Sequence, residues 1–64
     1  MNKEDQQLHD LCLHMNKVMA YDAQKEESYI LFLKIHGFTS GPTPELLKSL
    51  TSEQRHELAK IFQP

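Results

Sequence analysis

The sequence predicts a small all-α protein of three to four helices: a long N-terminal helix, a hydrophobic central helix and a C-terminal helix pair. Three observations carry this expectation. The first third repeats apolar residues at helical spacing, the central run SYILFLKIHGF closes on a glycine stop signal, and the last third carries two helix-start signatures in succession.

From Glu4 to Ala20 the residues Leu8, Leu11, Cys12, Met15, Val18 and Met19 follow the i, i+3, i+4, i+7 spacing of one helix face. Asn2 is the expected N-cap, with Glu4 and Asp5 in the first turn, where carboxylates complement the helix dipole. Leu13 lies off the stripe. It is a singly exposed leucine or part of a second contact face. Between Tyr21 and Glu27 the chain turns polar without glycine or proline, and Asp22 is placed to cap a second helix. A break near Tyr21 is expected, because an unbroken helix to His36 would be about 50 Å long and too much for so small a chain to cover.

Ser28 to Phe38 holds the densest apolar run, which by its residues alone suits a buried strand or a buried helix. The flanks decide for a helix. Glu26 and Glu27 precede the run, Lys34 and His36 sit in its last turn, and Gly37 stands where a left-handed C′ residue is wanted. With Gly37 at C′, Leu33 and Phe38 become the hydrophobic pair of a Schellman stop, and the helix ends at His36. Of the glycines, Gly37 is therefore the one expected to tolerate a Cβ least. Tyr29, Phe32 and Ile35 read as one face of this helix, and Ile30, Leu33 and Gly37 as another. Leu31 and Phe38 fall between them.

Thr39 to Thr43 reads as a turn punctuated by Gly41 and Pro42. Thr43, Pro44 and Glu45 then give an N-cap, an N1 proline and a first-turn acid, starting a short helix with Leu46, Leu47 and Leu50 inward. Thr51 and Gln54 have capping-box spacing and open a last helix with Leu58, Ile61 and Phe62 on its buried edge. The hydrophobic staple is absent, since Arg55 occupies its second position.

All 64 residues are assigned to a single domain, small enough that its core contributes roughly 3–5 kcal/mol at best. The lone Cys12 gives no internal disulfide, so self-association is the remaining aid to stability. Net charge is −2 and the isoelectric point about 6.0, with Arg55 the only arginine. This balance speaks against a strong phosphate footprint. The start MNKEDQQ is unlike a signal peptide and no run approaches a membrane span, so a cytoplasmic setting without membrane contact is expected.

Four histidines raise metal binding first. His9 and Cys12 are three apart on one face, and His36 or His56 are possible further ligands, but no zinc spacing is matched. No metal or cofactor is expected. The same Cys–His pair as a nucleophile lacks a third group and a glycine-rich oxyanion loop, so no enzyme is expected. The final helix pair raises a helix-turn-helix reading, with Gln54 and Arg55 as its base-edge contacts. Glu53 and Glu57 on the same helix oppose it. The favoured expectation is a non-catalytic regulator, inhibitor or adaptor that binds another protein through an apolar helical surface and forms a homodimer. Leu13, Tyr29, Phe32, Ile35 and Phe38 are its expected contacts. The alternative is a dimeric DNA-binding regulator.

Overall fold

The computed structural model describes residues 2–39 and 41–63, and Ser40 of the expected turn lies outside them. Among the described residues there are four helices and no strand: α1 (Lys3–Tyr21), α2 (Ala23–His36), α3 (Pro44–Ser49) and α4 (Ser52–Ile61). The all-α expectation holds. So does the separation of the first two helices.

Each boundary has a local chemical cause. Asn2 Oδ1 accepts a hydrogen bond from the Asp5 amide at 2.8 Å and starts α1. Asp22 is the single residue between α1 and α2, in extended conformation. Its carboxylate accepts from the amides of Gln24 and Lys25 at 3.1 and 3.2 Å, so one side chain satisfies two of the donors that a helix start leaves open. At the far end of α2, Gly37 has φ 75°. The Phe38 amide donates to Leu33 O at 2.9 Å and the Gly37 amide to Lys34 O at 3.4 Å, the two bonds of a Schellman motif. Thr43 Oγ1 caps α3 through the Leu46 amide. Thr51 and Gln54 cap α4 reciprocally, completing the capping box at 2.9 and 3.1 Å.

α1 packs on α2 and on α3, and α2 packs on α4. The core joins Cys12 and Met15 of α1, Tyr29 and Phe32 of α2, Leu46 and Leu47 of α3, Leu50, and Leu58 of α4. Each large side chain fully buried here contributes about 1.5–3 kcal/mol relative to exposure. Phe32 is the aromatic hub. Its ring centroid lies 6.3 Å from Tyr29, 6.2 Å from Phe38 and 4.7 Å from the His36 imidazole.

The face assignment of α2 needs correction. Tyr29 and Phe32 are buried, at 3% and 4% exposure, while Ile35 is 68% exposed. Steps of three residues turn a helix through 300°, so a row of such steps drifts 60° per step and Ile35 ends 120° from Tyr29. His36, seven residues on, returns to within 20° and takes the inward place against Phe32.

The glycine expectation is also overturned. A Cβ on Gly37 meets nothing within 4 Å, whereas one on Gly41 overlaps Leu46 Cδ2 and the Tyr29 hydroxyl. Gly41 also has φ 132°, deep in the region that side chains disfavour. The stop signal is local and visible in sequence; the crowding at Gly41 is made by α2 and α3 closing on it.

Candidate interaction surface

Two long-range polar links fix the edges of α4. Lys25 Nζ donates to Ile61 O at 3.0 Å and to Gln63 O at 2.6 Å, placing a cation on the carbonyls that the end of α4 leaves open. At the other end, Gln54 Oε1 is taken by the Thr51 amide, so the Gln54 amide nitrogen is the donor toward His36 Nδ1 at 3.2 Å. His36 Nδ1 is then an acceptor, which puts the ring proton on Nε2, facing Glu57 Oε2 at 3.0 Å. Thr51, Gln54, His36 and Glu57 form one directed chain between α2 and α4. A third link, Lys48 to Asp5, ties α3 to α1, and that carboxylate raises the Lys48 pKa through its hydrogen bond and its charge.

These links bear on the nucleic-acid alternative. Both ends of the Gln54 amide are engaged within the chain, and the ammonium of Lys48, on the first helix of the C-terminal pair, is paired with Asp5. Arg55 is exposed and its guanidinium has no ion-pair partner among the described residues.

The five expected protein contacts separate into three classes. Leu13 and Ile35 are exposed, at 57% and 68%. Phe38 is half-buried against the core. Tyr29 and Phe32 lie inside the chain's own core and present nothing to a partner. Sequence reasoning left out four exposed residues: Leu11, Tyr21, Ile30 and Leu31 are all open. The angular drift along α2 would have found Leu31, which stands four residues before Ile35 and shares its face.

A groove of about 210 Å³ opens between α1 and α4. One wall is Leu8, Leu11 and Met15, spaced i, i+3, i+7 on α1. Leu47 and Leu50 lie along it from the α3 side. The other wall is Arg55, Leu58, Ala59 and Phe62, spaced i, i+3, i+4, i+7 on α4. Among the described residues that line it, Arg55 is the sole polar one. On the opposite side of α4 a more open hollow runs between Leu31 and Ile35 of α2 and Glu57, Lys60 and Ile61.

Two buried groups among the described residues have raised pKa values. Burial pushes the Cys12 thiol above its ordinary pKa and the Glu45 carboxylate adds to the shift, the reverse of what an activated thiolate needs. Burial likewise pushes the Tyr29 phenol up to about 12, with Cys12 adding to it. The Tyr29 hydroxyl is buried without a hydrogen-bond partner among the described residues. No group of three His, Cys, Asp or Glu side chains among the described residues is placed to hold a metal ion, and His9 faces its neighbour Asp10 at 3.9 Å. No helix of the described residues is long and apolar enough to cross a membrane.

Comparisons with protein-family models, with curated proteins and with solved structures find no match to this chain.

Proposed function

We propose that this chain is a non-catalytic regulator, inhibitor or adaptor that acts by binding another polypeptide through its apolar helical surface. The observation that supports the reading is the amount of large apolar surface left open after folding: Leu11, Leu13, Tyr21, Ile30, Leu31 and Ile35 are each 44% to 75% exposed. Leu31 and Ile35, four residues apart on α2, lie together on one side of it, and contiguous apolar surface on a small chain marks contacts with partners. The total surface, 4713 Å², also exceeds the about 4,250 Å² expected for a compact monomer of 7.5 kDa. Self-association belongs to the same reading, since a second copy would cover part of that surface.

The test is affinity capture from the native cells with the wild-type chain, Leu13→Glu and Ile35→Glu, washed at low and at high salt. A polypeptide held by the wild type at high salt, and lost with either substitution, is the expected result. Retention of nucleic acid that high salt releases would overturn the reading in favour of the DNA-binding alternative. Capture of the same polypeptides by all three chains would overturn it too.

A further inference from the structure

We propose that the α1/α4 groove receives the outer ridge of α2 from a second copy of this chain, with Leu31 and Ile35 entering the groove and Glu27 meeting Arg55. The inference rests on the protein-binding reading and names one partner for it.

Size and shape favour a helical ridge over a small molecule. Sites for drug-sized ligands occupy about 300–1,000 Å³, above the 210 Å³ of this groove. A cavity of about 150 Å³ accepts a benzene ring. The groove therefore suits one or two large aliphatic side chains. Its walls are two helical rows, each seven residue steps or about 10.5 Å of axis long. An intruding helix fits such a channel by laying one ridge between the rows.

The chain carries a matching ridge. Glu27, Leu31 and Ile35 are four residues apart along α2, about 12 Å from end to end, and all three are exposed. The chemistry complements the groove: two aliphatic side chains for an apolar lining, and one carboxylate for one guanidinium. Neither Glu27 nor Arg55 has an ion-pair partner among the described residues. Arg–carboxylate pairs are directional, so this pair would set the orientation of the ridge.

Groove and ridge flank α4 on opposite sides, Arg55 and Ala59 facing one and Glu57 and Ile61 the other. The contact is therefore heterologous: the groove of one copy takes the ridge of the next, which gives open chains or a closed ring. Isologous crossing of α2 on its own copy is the competing arrangement.

Sedimentation equilibrium from about 10 μM to about 1 mM, the range of small transient contacts, tests it. Ile35→Glu disables the ridge and leaves the groove intact. Ala59→Glu fills the groove, places a carboxylate four residues from Arg55 and leaves the ridge intact. Both positions are exposed, and circular dichroism confirms the fold of each variant. The wild type should self-associate, and each variant alone should associate at least about tenfold more weakly. An equimolar mixture of the two variants should form a heterodimer that grows no further, because only one productive groove and ridge remain. A wild type that stays monomeric overturns the inference while leaving the capture experiment to judge the broader reading. Wild-type-like association of Ala59→Glu overturns it in favour of the isologous arrangement, and a mixture without heterodimer overturns it as well.

Discussion

Gly37 and Gly41 stand four residues apart, both with positive φ, and the fold uses them differently. Gly37 ends a helix and faces open space, so its only demand is a left-handed backbone. Gly41 sits where the Tyr29 phenol and the Leu46 side chain converge, so it must have positive φ and must lack a side chain. A glycine required by the backbone announces itself in the neighbouring residues. One required by packing does not.

The largest expected effect is at Gly41. Gly41→Ala adds backbone strain to overlap with two core side chains and should cost on the order of 3–5 kcal/mol, comparable to all the stability a core this small supplies. Thermal melts should show it largely unfolded. Gly37→Ala should cost about 1 kcal/mol and remain folded. Equal losses at the two sites would erase the distinction.

The Tyr29 hydroxyl sharpens the comparison. It is one of the two atoms in the way at Gly41 and has no partner among the described residues, so Tyr29→Phe removes a desolvated polar atom and should leave stability unchanged or raise it by up to about 1 kcal/mol. In the Tyr29→Phe background Gly41→Ala should do less damage, which a double-mutant cycle reads as a coupling between the two positions. Additive effects would mean that Leu46 alone defends the site.

The same phenol gives a pH signature. Its pKa is raised from 10.0 in the free side chain to about 12 in the fold. Between those values the unfolded chain has released a proton that the folded chain keeps, so stability falls as pH rises through that window. Below pH 10.0 the contribution is fully present. Denaturant titrations at increasing pH should show a loss that Tyr29→Phe lacks. A loss smaller than that of either glycine variant is expected at Lys25: Lys25→Met keeps the aliphatic stem but withdraws the ammonium from the Ile61 and Gln63 carbonyls, which should cost about 0.5 kcal/mol in the same denaturant titrations. A loss as large as that of Gly37→Ala or larger would rank this distant cap with the local stop.

What was legible in the sequence follows the reach of each interaction. Asn2, Asp22, Gly37, Thr43 and Thr51 act within four residues, and all five helix boundaries they govern were readable. Lys25, His36 and Gly41 act across 18 residues or more or at the meeting of separate helices, and nothing beside them in the chain declares it. The surface was half legible for the same reason. Apolar density on α2 correctly implied that some of its residues face outward, as Ile35 does, and Leu13, off the buried stripe of α1, is open as well. Which ones face outward depended on which side of α2 the helices α1 and α4 cover, so Tyr29 and Phe32 were misplaced. The groove lies between two helices far apart in sequence, and no local pattern marks it.

Cys12 has a practical consequence. It is the single thiol of the chain, 6% exposed, and its pKa is raised. An alkylating reagent can reach it only when α1 lifts from Tyr29 and α3, so the ratio of its labelling rate to that of a free thiol reports the opening equilibrium under native conditions. The chain thus carries its own reporter. Should the groove fill in solution, by a second copy or another helix, the modification rate of Cys12 would slow in proportion to the occupancy, because the same departure of α1 that frees the sulfur dismantles one wall of the groove.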